Sequence, residues 1–178
     1  MIIQRTPLSA SQPFVLSVVA AHCRTEYGSE FDVELARMAA AAANELEAYA
    51  QLALLDQTIT VTLEDGPRRS VFDLPIAPVI DPLSVEVTVD GATFEDFAVI
   101  TGQRPAIRFT SGKPCGLVVI QYQAGFGDNA AELPQDIENA ICDQASAFFD
   151  MRGAGDGKTN GMSPHMARVA ARYRRVSI

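Results

Sequence analysis

Residues 116–152 read GLVVIQYQAGFGDNAAELPQDIENAICDQASAFFDMR, and the reading of this stretch decides the fold. Leu117, Val118, Val119, Ile120 and Tyr122 form an apolar run of strand length. Ala124, Gly125, Phe126 and Gly127 break it, since paired glycines punctuate a strand with a turn. Leu133 and Pro134 then open a helix, because proline's missing N–H costs little in a first helical turn. Ile137, Ile141, Ala145 and Phe148 recur at helical spacing along it, and Phe149 widens the stripe. A strand-rich middle therefore ends here, and the last long helix, 134–152, begins.

Upstream of this stretch the pattern is one of short strands. Ile59, Val61 and Leu63 alternate with Thr58, Thr60 and Thr62, the signature of a half-buried strand. Asp65, Gly66 and Pro67 supply a turn, after which Val71 to Leu74 is expected to pair back. Prolines at 75, 78 and 82 impose an extended connection, each removing a backbone donor. Val85, Val87 and Val89 make the next strand, turned by Asp90 and Gly91, a dipeptide favoured in tight hairpins. Phe97 to Ile100 and Ile107 to Phe109 complete the set.

Further upstream the period is helical. Phe31, Leu35, Met38, Ala42, Leu46 and Tyr49 trace one stripe, with Ser29 as the expected N-cap and Glu30 and Asp32 near the positive end of the helix dipole. The small block Ala39 to Ala43 permits close approach of the helix after Pro134 or of another subunit. Leu16, Val19, Ala20 and Cys23 mark a shorter helix, and residues 1–13 read as an irregular arm. Downstream, the run Gly153, Ala154, Gly155, Asp156, Gly157 cannot sustain a helix. A short amphipathic basic helix follows from Pro164.

The fold class is thus α+β: a small helical bundle (helices 16–24, 30–51 and 134–152) with an inserted, mostly antiparallel β region (57–123) and a flexible basic C-terminal helix or tail. The expected organisation is an arm (1–13), a single domain (14–152), a Gly-rich linker (153–163) and a basic tail (164–178). A chain of 178 residues suits one domain, and 48% hydrophobic with 20% charged residues argues against wholesale disorder.

The net charge of −8 argues against a protein that wraps nucleic acid over its whole surface. Charge is unevenly spread: 8 Lys and Arg face 21 Asp and Glu up to Asp150, but 6 face 1 from Met151 onward. A basic end on an acidic body reads as an interaction arm, with a merely solvated end as the other reading. The segment Phe14 to Ala21 is too short to cross a bilayer, and no signal-peptide pattern appears near Arg5, so neither export by that route nor membrane embedding is expected. Cys23, Cys115 and Cys142 are odd in number and widely spaced, which fits reduced thiols, and with only His22 and His165 as companions they lack zinc-site spacing.

Catalytic patterns fail one by one. Gly157, Lys158 and Thr159 look like the end of a phosphate-binding loop, but Arg152 stands where the first glycine is required and a helix precedes the segment. Asp136, Glu138 and Asp143 read as a solvated helix face in place of an acid/base set. No GxSxG elbow is present. The expectation is no enzyme, no catalytic residue, no cofactor and no metal. The tail is the candidate partner-binding site: Met166, Val169, Tyr173 and Val176 supply apolar area, and Arg168, Arg172, Arg174 and Arg175 supply forked donors for carboxylate or phosphate. The competing reading packs this helix on its own domain by the apolar side alone.

Several stretches together resemble the head-tail connector, or adaptor, family of tailed bacteriophages and gene transfer agents. They are Pro13 to Leu16 continuing through His22, Cys23 and Arg24; Ala40 to Ala50 with Glu47, Ala48 and Tyr49; Leu55 to Thr58; Leu74, Pro75, Pro78 and Val79; Val119 to Gly127 ahead of a proline-started helix; Phe149 to Arg152; and Tyr173, Arg174 and Arg175. Two features depart from the family: the chain has no Trp, and its 153–161 break is glycine-rich. The resemblance implies a non-catalytic structural protein forming a ring, with twelve copies as the expected number. The ring would sit beneath the portal protein, join it to a stopper or next neck protein, and let DNA pass without sequence-specific binding. It also implies location in the neck of a virion or virion-like particle after synthesis in the host bacterial cytoplasm, with no membrane partner. The alternative is a small DNA-binding or nucleotide-binding protein using the basic tail.

Overall fold

The computed structural model describes residues 1–102, 104–152 and 161–174. The chain divides into two compact units, Met1–Ala10 with Leu55–Asp128, and Ser11–Leu54 with the chain from Asn129 onward. The first unit holds β structure and the second the α-helices; only the segment from Leu55 to Asp128 is inserted between helices, because the β unit also takes residues 1–10 ahead of the first helix. The fold class is α+β.

The first unit contains two antiparallel sheets. One has the order β1-β2-β8-β4-β5, from β1 (Ile2–Pro7), β2 (Gln57–Leu63), β8 (Val118–Ala124), β4 (Glu86–Val89) and β5 (Ala92–Thr93). The other has the order β3-β7-β6, from β3 (Val71–Asp73), β7 (Ala106–Phe109) and β6 (Phe97–Ile100). The central pair is β2 and β8, in register Ile59↔Tyr122, Val61↔Ile120 and Leu63↔Val118. All six of these side chains face the core, as strict alternation requires. Tyr122 is fully buried, and its hydroxyl donates to the Ile76 carbonyl and accepts from the Ile76 N–H, both at 3.1 Å. That pair ties the proline-rich connection to the sheet. The hairpin between β4 and β5 turns at Asp90 (φ 50°) and Gly91 (φ 83°), the left-handed pair that its sequence predicts.

Two expectations for this unit are overturned. Residues 2–7 are not an irregular arm but the edge strand β1, paired with β2 from Ile2↔Thr62 to Pro7↔Gln57. Their side chains are mostly exposed, so backbone pairing holds the strand and no alternation of polarity announces it. Nor does Val71–Asp73 pair back onto β2; it pairs with β7, Phe72 opposite Ile107. At the intervening turn Gly66 (φ 70°) lies so close to the Pro114 carbonyl oxygen that a Cβ has no room, and this contact carries the chain across towards residues 113–115.

The second unit packs α1 (Leu16–His22), α2 (Asp32–Ala50), α3 (Gln135–Asp150) and α4 (Pro164–Tyr173). Leu35, Ala39, Ala42, Ala43 and Leu46 of α2 and Ile137, Ala140, Ile141 and Ala145 of α3 are buried, and α2 packs on α3 through the alanine block. The expected N-cap at Ser29 is displaced: the helix starts at Asp32, whose carboxylate Oδ2 reaches back to accept the Gly28 N–H at 3.0 Å. Ser29 belongs to the preceding turn, its carbonyl accepting from the Asp32 N–H. At the far end of α3, the Arg152 guanidinium lies 3.5 Å from the Phe149 ring centroid and 4.7 Å from that of Phe31, and pairs with Glu34 at 2.8 Å. Phe31 and Phe149 meet edge-to-face, so this cluster closes the α2–α3 pair where α3 ends.

Candidate functional site

The basic helix singled out by sequence begins at a built cap. The Ser163 Oγ accepts from the Met166 N–H at 3.1 Å, and Pro164 takes the first helical position. The Ser163 N–H in turn donates to Gln144 Oε1 at 2.5 Å, and Gln144 Nε2 donates to the Gly161 carbonyl at 3.4 Å. Gln144 is fully buried in α3, so one side-chain amide fixes the chain leading into α4 from both of its ends.

The candidate residues separate into two faces. Met166 and Val169, together with Ala170, are completely buried against the helical unit. They form the inner side of α4, so they are not part of the surface that the folded chain presents. Tyr173 donates its hydroxyl to Asp136 Oδ1 at 3.1 Å, and Arg172 pairs with Asp136 Oδ2 at 3.3 Å while most of its side chain stays exposed. Burial and then the Asp136 charge hold the Tyr173 phenol above its usual range. The Arg174 guanidinium lies 4.7 Å from the Tyr49 ring centroid. Arg168 is exposed on the outer face with Arg172. Arg175 and Val176 lie outside the described residues, as do residues 153–160, which include Gly157, Lys158 and Thr159. What remains is a solvent-facing strip of guanidinium groups on a helix whose apolar side is used at home. Chemically it suits carboxylate or phosphate on a partner surface.

Elsewhere Asp136, on the first turn of α3, is engaged by Arg172 and Tyr173. Among the described residues no three His, Cys, Asp or Glu side chains gather as a metal site, and no helix is long and apolar enough to cross a membrane. Cys142 is buried and Cys115 exposed.

Two features went unread in the sequence. Leu83 is 90% exposed, on a 3-10 turn (Pro82–Ser84) in the first unit. In the second unit a groove of about 580 Å³ runs between the segment leading into α1 and the first half of α2, lined by Phe14, Leu16, Val33, Ala36 and Ala40 with the polar Gln12, Asp32 and Arg37. The signal for the turn was present as Asp81, Pro82 and Ser84, an Asx-type turn that the run of prolines masked.

No protein-family model and no curated protein matches this chain. Solved structures do. A chain of the virion of a native gene transfer agent particle is 22% identical, with 100% of this chain and 97% of that chain covered and a TM-score of 0.79. Chains in the neck of an empty gene transfer agent particle, computed with C6 symmetry, and in the neck of a native one, computed with C12 symmetry, match with the same identity and coverage at TM-scores of 0.78 and 0.72. The whole chain therefore has the fold of those proteins, from the edge strand β1 to the C-terminal helix.

Proposed function

We propose that this protein is a structural, non-catalytic head-tail connector of a gene transfer agent or tailed-phage particle. It forms a ring in the neck, joins the portal to the next neck component and leaves a channel for DNA. One observation carries the reading: the end-to-end likeness in fold to chains of gene transfer agent neck structures computed with C12 and C6 symmetry. The charge distribution supports it. An acidic body repels phosphate, so DNA slides past without sticking, while the basic outer strip of α4 offers Arg168 and Arg172 to carboxylates of the portal.

The test is negative-stain imaging of the protein mixed with the portal ring of its own particle. Removing α4 altogether is a poor control, because Met166 and Val169 belong to the core of the helical unit. The better comparison is the intact chain against Arg168→Glu with Arg172→Glu. The intact chain is expected to add a layer to the portal, and the charge-reversed chain to lose it while keeping its melting temperature within a few degrees. A layer with both proteins keeps the connector and moves docking away from α4. No layer with either removes the connector reading.

A further inference from the structure

The turn carrying Leu83 is rigidly built. Asp81 Oδ1 accepts the Leu83 N–H at 2.8 Å, the Ser84 Oγ donates to the Asp81 carbonyl at 2.6 Å, and the Ser84 N–H donates to the same carbonyl at 3.0 Å. The Ile80 N–H donates to the Gln123 carbonyl at 3.1 Å, and the Gln123 N–H donates to the Ser84 Oγ at 3.3 Å, which fastens both sides of the turn to β8. A large apolar side chain held almost wholly in water on a turn with this many hydrogen bonds is a preformed knob; Ile80, 43% exposed, adds to it. Its flanks carry two exposed carboxylates, Asp81 and Glu86.

The α1–α2 groove has the opposite character. Its apolar walls are Phe14, Leu16, Val33, Ala36 and Ala40, of which Val33 is 74% exposed, and Gln12 and Asp32 also line it. At its rim stands Arg37, exposed, with no ion pair among the described residues. Asp32 is half-buried and its Oδ2 already accepts the Gly28 N–H, so Arg37 is the one exposed charge on the lining, and apolar walls with that cation fit an apolar knob flanked by carboxylates. A closed ring needs just such a pair of different, mutually complementary patches on each copy, since its contacts are head-to-tail.

We infer that the occupant of the groove is a second copy of this chain: Leu83 of one copy seats between α1 and α2 of the next, and Arg37 of that neighbour faces the carboxylates of Asp81 and Glu86. The inference rests on the ring reading above and names the contact that makes the ring. Specificity comes from the knob's rigidity together with the single charge pairing.

The experiment uses the full chain with the portal ring present. Leu83→Asp, at a site that is 90% exposed, is expected to keep the wild-type melting temperature and to lower the yield of rings at least tenfold. To identify the occupant, Leu83→Cys and Ala36→Cys are made in separate chains lacking the exposed Cys115 (Cys115→Ser), mixed, and treated with oxidised glutathione. A cross-linked dimer is expected from the mixture and from neither chain alone. Wild-type rings that Leu83→Asp leaves intact overturn this inference by itself. So do intact rings that lose only a further neck component, which assigns the knob to that component. A wild-type chain that makes no ring removes the connector reading and this inference together.

Discussion

Tyr122 shows how one polar atom holds the β unit. It is fully buried, and its hydroxyl satisfies both backbone groups of Ile76. Tyr122→Phe leaves a buried N–H and carbonyl unpaired, which is expected to cost about 1–3 kcal/mol in urea unfolding with the m-value unchanged. Burial also pushes the Tyr122 phenol well above its usual range, and it raises the Cys142 thiol from 9.0 to about 11. In each case the folded chain keeps a proton that the unfolded chain releases more readily. The stability this contributes is fully present below the unfolded pKa and is lost as pH climbs through the folded one. Melting temperature is therefore expected to fall steadily from pH 9 to pH 11, and less steeply in Cys142→Ala. A flat profile over that range would count against burial of these two groups.

At the scale of elements, the start of α4 is held by Ser163 and Gln144. Ser163→Ala removes the cap on the Met166 N–H and should weaken the helix by about 1 kcal/mol. Hydrogen exchange is expected to speed up over 164–173 first, with the buried stretch of α2 unchanged. The helices and most strands were legible because their apolar spacing is strong: 16–24, 30–51 and 134–152 became Leu16–His22, Asp32–Ala50 and Gln135–Asp150. What escaped had no periodic signal. The edge strand β1 is held by backbone pairing, and β3 pairs with β7, a partner distant in sequence that local pattern cannot specify. The candidate site was half legible. The sequence identified the amphipathic basic helix, but spacing alone could not tell whether Met166 and Val169 face a partner or their own core. Burial assigns them to the core.

For the molecule as a whole, the decisive quantity is the imbalance of 22 acidic against 14 basic residues. Phosphate binding grows with the number of cations that neutralise it, and here the exposed guanidinium strip of α4 is short and belongs to a chain of net charge −8. Duplex DNA is therefore expected to migrate unshifted with micromolar protein at about 0.15 M salt, as the proposed channel role requires. A shifted band that disappears with added salt would point instead to a tail that grips nucleic acid.

The buried Tyr122 also gives the chain a built-in optical label. There are four tyrosines and no tryptophan; Tyr122 is the one tyrosine of the β unit, while Tyr27, Tyr49 and Tyr173 belong to the helical unit. Phenolate absorbs at longer wavelength than phenol, so the ultraviolet difference spectrum of a fast jump to alkaline pH separates the two. The Tyr122 chromophore, fully buried, stays dark until its sheet opens. The time constant of its delayed phase reads the opening rate of the β unit without dye, tag or engineered reporter.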